Sequence, residues 1–131
     1  MKRLLPLVAR LFLGLIFTVI GLNGFLHFLP MPPPPPAAGA FFGALAQTGY
    51  FIPLLKGTEV LAGLALLSGR FVPLALVVLA PIVVNIAAYH IFLTPGDLGM
   101  AAFLTFLQAF LAWTYRDSFR GVLDPDARPA A

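Results

Sequence analysis

The sequence predicts an all-α membrane protein: an antiparallel four-helix transmembrane bundle with a short extra helix in its first outer loop. Three observations lead there. The first is composition. Of 131 residues, 60% are hydrophobic and only 10% charged, and the mean hydropathy is +0.97. A soluble domain is roughly half apolar and about a quarter charged, and a chain this small could not hide so much apolar surface in one water-soluble core. The second is that proline, glycine and charge divide the chain into four long apolar runs. The third is that the Lys and Arg residues fall at alternate ends of those runs.

The first span is expected over about 4–28. MKR followed by apolar residues, with AAGA downstream, imitates a secretory signal. The run is as long as a full membrane span, however, and three more follow, so it is read as a retained helix. Pro32 to Pro36 cannot continue a helix and predict a polyproline II strut outside the hydrocarbon. Ala40 to Phe51 is apolar but too short to span, which predicts an interfacial or re-entrant helix lying as a lid over the outer end. The second span is expected over about 52–67 and closes at Ser68-Gly69-Arg70. The third runs over about 71–93 and stops at Thr94-Pro95-Gly96-Asp97, with Asp97 placed as the N-cap of the next helix. The fourth runs over about 98–115. Residues 1–116 thus form a single four-helix transmembrane domain, and 117–131 a cytoplasmic polar tail that is expected to be disordered.

Charge sets the direction. Lys2, Arg3 and Arg10 lie at the start, Arg70 in the second-to-third turn, and Arg116, Arg120 and Arg128 at the end. Residues 29–52 and 94–98, on the other side, contain no Lys or Arg. The positive-inside rule places both termini in the cytoplasm. Gly14, Thr18 and Gly21 give the first helix a small-residue stripe for close packing. Pro81 should kink the third span one turn before Asn85.

With this topology the polar residues gather in the outer half. Asn23 and His27 share one side of the first helix, Lys56 and Glu59 open the second, and Asn85 and His90 lie in the outer half of the third. Gln108 reads as interhelical glue and Lys56 alone as a snorkelling residue. Glu59 has the weakest structural excuse, because a carboxylate at this depth needs a partner or a proton. Lys56, one turn away, is a local partner. Asn23, His27, Asn85 and His90 are the expected partners across the helices, and the six residues together are the candidate ligand-binding site.

Some chemistry is excluded. There is no cysteine, so thiolate catalysis, disulfide exchange and zinc-thiolate sites are absent from this chain. No basic patch is interleaved with stacking aromatics, which leaves nucleic-acid binding without support. No metal-ligand motif is present, and two histidines, His27 and His90, are weak grounds for a haem.

The stretches ARLFLGLIFTVIGLNGFLHF and YFIPLLKGTEVLAGLALLSGRFVPLALVVLAPIVVNIAAYHIFL resemble the DoxX-like family of small four-helix bacterial membrane proteins, related to the larger DoxX/DoxD group. The resemblance runs from about Ala9 to Leu93 and weakens in the fourth helix. It rests most on Lys56, Glu59, Gly63, Leu66, Arg70 and Phe71, followed by Asn85 and His90; the family's characteristic glutamate early in the second helix falls on Glu59. Pro32 to Pro36 departs from the family pattern. The resemblance implies the bacterial cytoplasmic (inner) membrane. Relatives include membrane subunits of redox systems, such as thiosulfate:quinone oxidoreductase and oxidative-stress complexes, and others that look like assembly factors.

Three functions compete. The first is an accessory or anchor subunit of a redox enzyme or other membrane protein, binding a quinone or lipid in an outer-half polar pocket. The second is an assembly or interaction factor with no small ligand, its polar groups fixing helix packing. The third, ranked last, is a membrane-embedded enzyme using Glu59 and His90 as an acid–base pair. Ligand, partner and oligomeric state are not written in the residues.

Overall fold

The computed structural model describes residues 2–130, and among them every regular element is helical. The order is α1 (Leu4–Leu26), α2 (Pro36–Gln47), α3 (Phe51–Ser68), α4 (Val72–Leu93) and α5 (Gly99–Thr114), followed by a 3-10 turn over Arg116–Phe119. Three of these, α1, α3 and α4, are long and apolar enough to cross a membrane. α5 has 16 residues, which at 1.5 Å of rise is about 24 Å, short of the roughly 30 Å hydrocarbon core. Exposed Leu61, Val84, Phe92 and Phe106 cover the outer helix faces, a surface suited to lipid and hazardous in water.

α1 packs on α3, α3 on α4, α4 on α5 and α5 back on α1, with the α1–α3 contact the most extensive. Leu13, Phe17, Leu66, Leu76, Leu79 and Leu111 are the largest fully buried side chains and form the common core. α1 and α3 run antiparallel, because Gly14 meets the Gly63–Leu67 turn while Gly21 meets Lys56 and Val60. A Cβ on Gly14 would lie 2.9 Å from the Gly63 carbonyl oxygen, and one on Gly21 2.7 Å from Val60 Cγ2. On the facing helix, a Cβ on Gly63 would lie 2.7 Å from the Thr18 backbone nitrogen. Thr18 turns its hydroxyl back to the Gly14 carbonyl at 2.7 Å, so this seam carries no unsatisfied hydroxyl. Only hydrogen side chains let the two backbones approach this closely.

The outer loop differs in detail from the sequence expectation. α2 begins at Pro36, four residues before Ala40. A proline at the first helical position loses nothing, since its missing N–H would have no intrahelical partner, and its fixed φ suits the helix. Pro35, at φ −54° and ψ 156°, keeps the polyproline II geometry. α2 also stops earlier, at Gln47. The Thr48 hydroxyl donates to the Leu45 carbonyl (2.6 Å) and accepts from the Phe51 N–H (3.2 Å), and Gly49 at φ 80° reverses the chain into α3. α2 packs against α3 and α4. Phe41 and Phe42 lie 6.0 and 5.1 Å from the Tyr89 ring, and Ala38 is fully buried.

One further expectation is corrected. Asp97 does not cap α5 with its side chain: the N-cap is Leu98, while the Asp97 backbone N–H closes a turn onto the Thr94 carbonyl at 3.0 Å. α4 continues through Pro81 without a break in the helix. Beyond α5, Tyr115 and Phe119 pack against the core.

The glycine seam generates a direct test. Gly14→Ala should destabilise the protein by about 1–3 kcal/mol through overpacking. A Cβ at Gly43 meets nothing within 4 Å, so Gly43→Ala in α2 should be neutral or stabilising by up to about 1 kcal/mol. Thermal unfolding of both variants in one detergent checks this, and equal shifts would refute the close approach.

Candidate functional site: an ion pair in the α1–α3 seam

The first turns of α3 carry two ionisable residues, Lys56 and Glu59, inside a helix long enough to span. Glu59 faces the seam and is 3% exposed. Lys56 Nζ lies 3.2 Å from Glu59 Oε2, a hydrogen-bonded ion pair between side chains three residues apart on one helix face. The position of Lys56 is set by α1. A Cβ on Gly24 would collide with the Lys56 Cγ, so the aliphatic stem of the lysine lies across the bare backbone of Gly24. The stem is thereby half-buried while the ammonium bends back to the carboxylate. Gly24 therefore extends the stripe of Gly14, Thr18 and Gly21 by one turn and gives it a second task.

The structure brings these two candidate residues together and does not bring the other four to them. Asn23 acts within its own helix end: its Oδ1 accepts the Leu29 N–H at 2.7 Å. His27 is exposed in the left-handed region at φ 50°, its N–H bonded to the Asn23 carbonyl at 2.9 Å. Together the two residues terminate α1. Asn85 is exposed on the outer face of α4. His90 Nδ1 lies 2.8 Å from the Ile86 carbonyl oxygen, which requires the proton on Nδ1, and its ring stands edge-on to Tyr89 at 5.2 Å. No hydrogen bond joins Glu59 to Asn23, His27, Asn85 or His90. Each of the polar groups that share a depth has found a nearer partner than Glu59, or faces outward.

Gln108 does act between helices. Its Nε2 donates to the Leu76 carbonyl at 2.7 Å, tying α5 to α4, while its Oε1 is buried without a partner among the described residues. The acid–base reading of Glu59 and His90 has no shared hydrogen bond to support it. Among the described residues no three His, Asp or Glu side chains come together as metal ligands.

Two open surface clefts are present, and neither is lined by Glu59. One, of about 180 Å³, is an apolar groove between α3 and α4 lined by Phe51, Leu54, Leu55, Thr58 and Ile82. The other, of about 650 Å³, lies at the opposite end, where Lys2, Arg3 and Arg10 meet Ser68 and Tyr115. Arg10 was legible in the sequence only as an orientation charge. It donates from Nη1 to the Leu66 carbonyl at 3.1 Å and packs against Gly69, whose φ of 76° ends α3. The signal that could have found it is its spacing: Arg10 precedes Leu13, Gly14 and Phe17 on the buried face of α1.

Comparison of this chain with family models, with curated proteins and with solved structures found no match.

The ion pair makes a quantitative prediction. Lys56→Met leaves a buried carboxylate without its cation and should cost about 3–5 kcal/mol, whereas the double variant Lys56→Met, Glu59→Leu should recover most of that loss. Glu59→Gln, which keeps the shape and removes the charge, should be damaging on its own. Equilibrium unfolding in mixed micelles supplies the double-mutant cycle, and additive single effects would contradict a pair closed on itself.

Proposed function

We propose that this chain is a DoxX-like accessory or anchor protein of the bacterial cytoplasmic membrane, an antiparallel four-helix transmembrane bundle with both termini in the cytoplasm. It works by packing its lipid-exposed helical surface against another membrane protein, a redox enzyme being the partner class that the resemblance implies. It binds no small molecule at Glu59. The observation that carries this reading is the pairing of Glu59 with Lys56 on its own helix, the lysine stem lying across the bare backbone of Gly24. A binding carboxylate would have to offer a lone pair to a cavity, and the two clefts are lined by other residues. The polar groups then serve packing, which is the interaction-factor reading of the sequence.

A second reading has one observation in its favour. The apolar groove beside Phe51 and Ile82 contains Thr58, in the turn that separates Lys56 from Glu59, and its apolar lining suits an isoprenoid or acyl segment. A quinone or lipid held there would have the Thr58 side chain as its polar neighbour in the groove.

Two experiments test these statements. Organic extraction of the gently solubilised protein should yield no stoichiometric quinone; quinone retained by the wild type and lost on Ile82→Trp, which fills the groove, would favour the second reading. Cysteines introduced at Gly39 and Gly96 should label from outside intact cells, and those replacing Arg70 and Arg128 should not. Labelling of the Arg70 turn from outside would overturn the topology.

A further inference from the structure

The geometry points to a phosphate-binding cleft at the basic end, built to hold the headgroup of an anionic phospholipid. The cleft of about 650 Å³ forms where the start of α1, the end of α3 and the end of α5 converge. Three cations, Lys2, Arg3 and Arg10, line it, and no acidic residue does. Among the described residues the ion pairs are Lys56–Glu59 and Arg120–Asp117, so none of the three cleft cations is neutralised by a carboxylate. Three like charges around one concavity repel, and a phosphate diester between them relieves that repulsion with charge-assisted hydrogen bonds.

Arg10 is the fixed member. Its hydrogen bond to the Leu66 carbonyl and its contact with Gly69 hold the guanidinium at the floor of the cleft, and one N–H spent on a carbonyl leaves most of its donors unspent. That bond also engages a terminal carbonyl of α3, the end of the helix whose partial negative charge would otherwise repel an anion. Tyr115, half-buried in the cleft lining, adds a phenol hydroxyl that has no hydrogen-bond partner among the described residues. The same cleft has an apolar wall in Pro6 and Leu7, continuous with exposed Leu4 and Leu11 along α1. A free phosphate would use only the charged floor. A lipid would use both surfaces, its phosphate on Arg10 and its acyl chains along α1, and the volume suits a glycerol-linked headgroup better than a single small ion.

Native mass spectrometry of the full chain, released from mixed phosphatidylglycerol and phosphatidylcholine nanodiscs, tests this. The wild type should retain phosphatidylglycerol at one molecule per chain and at least about tenfold over phosphatidylcholine. Lys2→Gln with Arg3→Gln, which spares the Arg10 clamp, should reduce that preference about tenfold or more. Arg70→Gln with Arg116→Gln removes the same charge from outside the cleft and should leave it unchanged; circular dichroism shows that both variants are folded. Equal losses in the two variants, or no preference in the wild type, would overturn the proposal. Displacement of the lipid by millimolar inorganic phosphate would overturn it as well, reassigning the cleft to a soluble anion. The measurement is made on released protein, so it is independent of membrane orientation and of whether a protein partner exists.

Discussion

Two helices in lipid gain little from excluding water, since the surroundings are as apolar as the side chains, and so association depends on how closely the backbones can meet. Here that approach occurs along one seam, where Gly14, Gly21 and Gly24 of α1 face Gly63, Val60 and Lys56 of α3. Each glycine removes a Cβ that would stand within collision distance of the opposite backbone or of the lysine stem. The seam accounts for the largest helix contact in the molecule. It also determines where a charged pair can be buried, because only a side-chain-free strip of α1 leaves room for the stem of Lys56.

A buried ion pair gives weak net stabilisation, since desolvation offsets much of the attraction. Its effect is on uniqueness. With Lys56 and Glu59 paired on one helix face, α3 has a single orientation in which neither charge meets hydrocarbon, and that orientation presents Gly63 to Gly14. Small-residue packing and charge pairing therefore select the same rotation of α3.

The two ends of the molecule differ in the same systematic way. At the end where α1 stops, three side chains bond to backbone: Asn23 to the Leu29 N–H, His90 to the Ile86 carbonyl and Thr48 on both sides of its turn. In a medium without water a side chain takes the nearest backbone partner, commonly the carbonyl four residues earlier, as Thr58 and Thr105 also do. At the basic end, Lys2, Arg3 and Arg10 instead line an open cleft without a counter-ion among the described residues. Glu59 has its cation in Lys56, whereas Lys2, Arg3 and Arg10 have no carboxylate partner among the described residues.

The sequence alone determined what depends on local composition and spacing. Apolar run lengths and the breakers between them located α1, α3 and α4; Gly14, Thr18 and Gly21 marked the packing face of α1; and the interval from Lys56 to Glu59 marked a pair within one helix turn. The small shifts at α2 followed from Pro36 at a first helical position and Gly49 at positive φ, and these features were present in the sequence although read one turn too late. Tertiary structure decided which residues at equal depth meet. Depth along a helix is one coordinate, and contact requires the rotation about each axis as well, which is set by packing against neighbours. Asn85 shares its depth with Glu59 and points elsewhere, whereas Gly24 and Arg10, unremarkable in the sequence, lie on the face of α1 that α3 covers.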